Sequence, residues 1–199
     1  MNYFSLARRH VMVFVVFTLA LFLFACGGVP NHMLFKDDPA INVLDVKPEK
    51  GKAALVVART FWGAPAITFD NYLDKKLIGV AKSKSYFVKT DVAPGVHYVI
   101  AKAESTEPVK IKFEPQRIYY IMEFPRVGVW RARVTVKLVT PEELSTSFDD
   151  SVKLMVYDIN NPGDDMSDKD YQEAVSDYER EAKEGSHKED VGYKGVPAK

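Results

Sequence analysis

Few residues in this chain have the type and spacing to do chemistry. After the first 25 residues the histidines are His32, His97 and His187, each in a different segment. Their spacing indicates neither a metal cluster nor a nucleophile with its base. His97 follows Pro94-Gly95-Val96 and has the best claim to a role, although a strand histidine packed beside Tyr86 or Tyr119 is the plainer reading. Glu142-Glu143, Asp149-Asp150 and Asp164-Asp165 are neighbours in sequence, which seldom face one site, and calcium-loop spacing is absent. They read as solvated acidic surface. No GxGxxG or GxxxxGK[ST] loop occurs, so no phosphate cradle, metal or cofactor is expected. One constellation stands out: Lys110, Lys112, Arg131, Arg133 and Lys137 lie on the polar sides of two alternating segments. If both segments share a sheet, they make a basic face for an anionic lipid, an acidic glycan or an acidic protein. Trp62 and Trp130 fall in loops near strand ends, where exposure would suit a binding rim.

The elements that must position these residues are bounded by composition. The chain has 199 residues, 47% hydrophobic and 27% charged, an ordinary globular mix with room for one domain of roughly 100 residues. Its formal net charge of zero hides an asymmetry. From Gly51 to Thr140 there are 15 Lys and Arg against 7 Asp and Glu, whereas Pro141 to Lys199 has 7 against 16. A basic body with an acidic tail points to an anionic partner, or to a tail that folds back on its own body. The lone cysteine, Cys26, can form no internal disulfide and no CxxC site.

Residues 1–10 contain Arg8 and Arg9 and no acid, and Val11 to Phe24 is a run of fourteen residues without charge or proline. That length suits a secretory h-region of about 7 to 15 residues better than a span of about 20. Leu23-Phe24-Ala25-Cys26 resembles the lipobox of bacterial lipoproteins, which implies cleavage before Cys26 and lipidation of its thiol. By the same resemblance, the absence of aspartate at position 27 implies the outer membrane, facing the periplasm. Residues 26–50 are rich in Gly, Pro, Asn and Asp and are expected to be a tether of roughly 25 to 30 Å, with a short first strand over Val43, Leu44 and Val46.

From Ala53 to Val139, short β-rich runs separated by turn residues at intervals of about 8 to 12 predict a small antiparallel β-sandwich. Val109, Ile111 and Phe113 alternate with Lys110 and Lys112, and Ala132, Val134, Val136 and Leu138 alternate with Arg131, Arg133, Thr135 and Lys137. Ala93-Pro94-Gly95-Val96 has type II turn chemistry and predicts a tight hairpin between Ser85 to Thr90 and Val96 to Ala103. Tyr86-Phe87, Val92-Ala93-Pro94-Gly95-Val96-His97 and Ile118-Tyr119-Tyr120-Ile121 together resemble an uncharacterised domain of small bacterial lipoproteins. This resemblance covers residues 51–145 and implies a carboxypeptidase-regulatory-like β-sandwich without a named activity. Gln116-Arg117 stands where that family more often has a glycine, so the turn there is expected to differ.

Pro141-Glu142-Glu143-Leu144 reads as the start of a short helix, and residues 146–185 as an acidic extension. Ser167, Asp170 and Gly185 delimit a C-terminal amphipathic helix over 167–185, with Tyr171, Ala174, Val175, Tyr178 and Ala182 on one stripe. Residues 186–199 are expected to be disordered. The acidic helix is expected to dock on the basic face. The whole implies a lipid-anchored, non-enzymatic cell-envelope protein that binds or assembles with an anionic lipid, glycan or protein, and not with nucleic acid. The alternatives are an envelope enzyme such as a glycan hydrolase, or a chaperone-like partner that offers an edge strand.

Overall fold

A computed structural model describes residues 33–35, 43–127, 132–157, 162–187, 190 and 192–198. The chain is mainly β. Its strands are β1 (Met33–Phe35), β2 (Ala53–Arg59), β3 (Phe69–Leu73), β4 (Lys76–Ala81), β5 (Ser85–Val92), β6 (Gly95–Lys102), β7 (Thr106–Phe113), β8 (Arg117–Val127), β9 (Ala132–Leu138), β10 (Lys153–Tyr157) and β11 (Val196–Pro197). Two helices, α1 (Pro141–Thr146) and α2 (Asp168–Lys183), flank β10.

The larger sheet has the order β1-β10-β5-β2-β8, with β9 and β11 placed one after the other along the outer edge of β8. It is mixed rather than antiparallel throughout, because β2 runs parallel to β8 and β10 parallel to β5. The smaller sheet, β4-β3-β6-β7, is antiparallel. Residues from the facing sides of the two sheets, among them Leu55, Val57, Val80, Phe87, Ile111, Phe113 and Ile121, form the core between them.

The outer face of the larger sheet is apolar too. Val56, Ala58, Tyr86, Tyr120 and Met122 lie there, covered by Val43, Val46, Leu144 and Val152. Buried on both faces and both edges, β2 has all seven residues out of solvent, which accounts for a continuous Ala-Ala-Leu-Val-Val-Ala run in place of alternation. The same covering corrects two expectations. Residues 43–50 pack on the sheet rather than acting as tether, with the Tyr120 hydroxyl donating to the Val43 carbonyl at 3.1 Å. Val43 to Asp45 form a turn, not a first strand, and the strand that precedes them is Met33–Phe35.

The Pro94-Gly95 link is also corrected. It joins β5 in the larger sheet to β6 in the smaller one, because β2 and β10 already occupy the two edges of β5. Gly95 takes φ +141° at this corner, a conformation that favours glycine. Gln116 holds φ +57°, and its side-chain amide donates to the Glu49 carbonyl at 2.8 Å.

Residues 192–198, expected to be disordered, close the sheet instead. The reason is an unpaired edge: β9 covers only Ile121 to Val127 of β8, and β11 takes Arg117 and Ile118. The Tyr193 hydroxyl accepts from the Tyr120 N–H at 3.0 Å and donates to the Val139 carbonyl at 2.8 Å. Tyr193→Phe should therefore lower stability by about 1–2 kcal/mol, since it strips two backbone groups of their partner. Urea unfolding midpoints would check this; an unchanged midpoint would count against the clasp.

Helix α1 starts with a full capping box, in which Thr140 Oγ1 accepts from the Glu143 N–H and the Glu143 carboxylate accepts from the Thr140 N–H. Helix α2 is capped by Ser167 and lays Ala174 and Tyr178 on the outer face of the smaller sheet, against Tyr72, Ile100 and Tyr98. The fold thus has four layers: the 43–46 segment with α1, the larger sheet, the smaller sheet, and α2.

Candidate functional site

The basic constellation is divided between the two sheets. Lys110 and Lys112 alternate with the core residues Val109, Ile111 and Phe113 of β7, so they point outward from the smaller sheet. Arg133 and Lys137 alternate with Val134, Val136 and Leu138 of β9 and point outward from the larger one. The single basic face is therefore corrected to two patches on opposite outer faces. Arg131 lies outside the described residues. Lys137 Nζ reaches Glu143 of α1 at 3.6 Å, whereas Lys112 is exposed.

Lys110 meets α2. Its Nζ lies 2.5 Å from Glu179 Oε1, an oxygen that also accepts from the Tyr98 hydroxyl. Asp168 pairs with Lys75 at 2.6 Å and Asp170 with Lys102 at 2.7 Å. The acidic helix docks on basic strands, yet these pairs are substantially exposed and each contributes little. The apolar contacts of Ala174 and Tyr178 hold it. Lys110→Ala should accordingly cost no more than about 1 kcal/mol and leave α2 in place, as circular dichroism and thermal melting would show.

His97 is pinned rather than free. Its Nδ1 lies 2.7 Å from Asp74 Oδ2, while Asp74 Oδ1 accepts from the Tyr98 N–H at 3.0 Å. The ring packs against Phe113, with centroids 6.0 Å apart, and not beside Tyr86 or Tyr119. Among the described residues the buried Nε2 has no hydrogen-bond partner, and the pair shapes the β3–β4 turn. His187 stacks on Tyr178 and reaches Glu181 and Asp190 at 3.1 and 3.3 Å. Among the described residues no three His, Cys, Asp or Glu side chains converge as a metal site. Cys26, His32 and Trp130 lie outside the described residues. A cleft of about 340 Å³ opens beside β5 and β10, lined mainly by apolar residues such as Ile78, Phe87 and Met155, with Asp45, Lys47 and Thr90 as its polar lining.

The notable polar cluster was not singled out by sequence reasoning. Ala58 of β2 is paired with Met122 of the parallel strand β8, which sets Arg59 beside Glu123 at the end of the inner face. Arg59, Glu123 and Asn71 of β3 are all buried, at 0%, 1% and 0% exposure. Arg59 donates from Nη1 to the Ile67 carbonyl at 2.6 Å and from Nη2 to the carbonyls of Gly63 and Ala64 at 2.6 and 3.0 Å. Its guanidinium lies 4.5 Å from the centroid of the Phe69 ring. Neither Glu123 oxygen has a well-formed hydrogen bond. Loss of water pushes the Glu123 carboxyl up to about 8, against the pull of the Asn71 amide and the Arg59 charge. Burial likewise lowers the Arg59 pKa. The signal available in the sequence was a charge at the end of one apolar strand and another inside Ile-Met-Glu-Phe.

The cluster fixes a loop. Arg59 ties down Gly63, Ala64 and Ile67, while Ser83 Oγ accepts from the Gly63 N–H at 3.4 Å and donates to the Phe61 carbonyl at 3.2 Å. A Cβ on Gly63 would clash with Phe61 Cε1, so only glycine lets that ring lie where it does. The result is a braced tip that displays Phe61 and Trp62, 56% and 71% exposed.

The chain is similar to an uncharacterized protein of Haemophilus influenzae, 30% identical over 126 residues that span 63% of this chain and 73% of the relative. No family model matches the chain, and no solved structure does. Identity of that extent across most of the relative's length means that the chain belongs to the same family as the Haemophilus influenzae protein.

Proposed function

We propose that the protein is a lipid-anchored component of the cell envelope, held through Cys26 in the outer membrane and facing the periplasm, which works as a binding or assembly module rather than as a catalyst. The observation that carries this reading is the braced Phe61–Trp62 tip, because two large aromatic rings held out in water serve recognition. Met33 follows Cys26 by seven residues, which reach about 25 Å at most, so the sandwich would sit close to the membrane. The non-catalytic part draws support from His97 and Glu123, whose surroundings commit them to the β3–β4 turn and the inner face. The sandwich is read as carboxypeptidase-regulatory-like, in line with the Tyr-Phe and Pro-Gly-x-His segments.

Cys26→Ser, or an inhibitor of lipoprotein signal peptidase, should leave a larger unprocessed form in the cell. The intact mass of the wild-type protein should include acyl chains on a new N-terminal cysteine. A mature mass without acyl groups would overturn the anchoring.

A further inference from the structure

The sheets and their turns match many of their cations with acids. Lys75, Lys102 and Lys110 meet Asp168, Asp170 and Glu179 of α2, Lys84 meets Asp149, and Lys137 meets Glu143 of α1. Arg126 of β8 and Arg133 of β9 break that pattern. Both are exposed, and among the described residues neither forms an ion pair. Glu107 of β7 feels the Arg126 charge, but from beyond ion-pair distance.

The register sets the two arginines directly opposite one another. Their Cα atoms are therefore about 5 Å apart, and their side chains leave the same face. That face is the outer one of the larger sheet, because Arg126 follows the outward Phe124 by two residues and Arg133 precedes the inward Val134. Like charges directly opposite on a ladder destabilise it, and an anion between them removes the repulsion. Each guanidinium is a planar fork of N–H donors that grips an oxyanion in bidentate fashion.

Charge selects the anion. A carboxylate carries a single charge and leaves one arginine unopposed. A phosphate group carries about −1.5 to −2 at neutral pH and has several acceptor oxygens, so one group can face both forks. We propose that Arg126 and Arg133 form a binding site for a phosphate group on the outer face of the larger sheet, next to the β8–β9 connection. The contact is the same for a free phosphate and for a lipid head group. Neither the Phe61–Trp62 tip nor attachment through Cys26 is needed for it.

The chain from Cys26 to Lys199, which retains every described strand and helix, is melted in sodium phosphate and in sodium chloride at equal pH and ionic strength. Phosphate stabilises many proteins by exclusion from their surface, so the readout is the difference between wild type and variant. Wild-type protein should gain melting temperature saturably with phosphate, as a ligand of the folded state does. Arg126→Gln and Arg133→Gln should each lose most of that gain. In phosphate-free buffer each should melt at or above the wild-type temperature, because a like-charge contact has gone. Lys112→Gln, which removes an exposed cation of the other sheet, should keep the gain, and sodium acetate should give much less of it. Vesicles of phosphatidic acid in phosphatidylcholine, against phosphatidylcholine alone, separate the two sources. Arginine-dependent co-sedimentation assigns the phosphate to a head group, and a melting response without it assigns a soluble phosphate. An equal gain in wild type and both arginine variants, an equal gain with acetate, or the absence of both the saturable gain and vesicle binding would overturn the site.

Discussion

Arg59→Ala is expected to lower the free energy of unfolding by about 3–5 kcal/mol, because it strips buried backbone carbonyls of a charged donor. Three effects combine at this residue. The Ile67, Gly63 and Ala64 carbonyls lose their donor, the Phe69 ring loses its cation, and Glu123 is left without the nearby positive charge. The loop should suffer with the core. Trp62 fluorescence ought to become more mobile, seen as reduced anisotropy, even under conditions where the variant is folded. Replacing both residues by apolar ones, as in Arg59→Met/Glu123→Leu, should recover only the part of the loss that comes from the buried Glu123 carboxyl, because the loop carbonyls still lack their donor. The loop anchor would still be missing, so the double variant separates stability from tip geometry. An Arg59→Ala protein within about 1 kcal/mol of wild type would show that the guanidinium is dispensable.

How much of this was legible in the sequence depended on whether the deciding interaction was local. Alternation in Val109 to Phe113 and Val134 to Leu138 told inside from outside, since a strand's period is its own property. The cap of α2 was readable for the same reason, since Ser167 and the Asp170 N–H are three residues apart, and the start of α1 was marked by Pro141 and the acids after it. Pairing partners were not legible. Pro94-Gly95 has the chemistry of a hairpin turn, yet whether the chain doubles back or crosses to another sheet depends on which edges of β5 are free, and β10 arrives some 60 residues later to take one. Splitting the basic constellation follows from the same cause, for β7 and β9 each alternate cleanly but belong to different sheets. The tail was misread because composition describes a segment alone, whereas Tyr193 and Val196 are held by an open edge of β8. Arg59 and Glu123 were the hardest to see. Each is an ordinary strand-end or strand residue until the parallel register of β2 and β8 puts them side by side.

That register also gives the protein a pH dependence with a definite sign. Burial raises the folded pKa of Glu123 to about 8 from the 4.5 of an ordinary glutamate. Between these values the folded state keeps a proton that the unfolded chain has released, so the unfolded state binds fewer protons and stability falls as pH rises. The contribution is present in full below about pH 4.5 and is lost as pH passes through about 8. A shift of this size corresponds to a loss on the order of 3–5 kcal/mol across the window. Glu107, raised by burial, acts in the same direction. The carboxylates held down by lysines, such as Asp149 at about 2 and Asp168 and Asp170, have the opposite sign and act on the acid side of the window. Glu123→Gln should therefore flatten the profile between pH 5 and pH 9 and leave the variant more stable than wild type at the alkaline end, where the buried carboxylate would be charged. Urea titrations at several pH values decide it; parallel profiles for wild type and variant would mean that Glu123 is ionised at neutral pH and paired with Arg59. In that event the Arg59 guanidinium would be shared between the carboxylate and the loop carbonyls, and Glu123→Gln should tighten the Phe61–Trp62 tip without changing the pH slope.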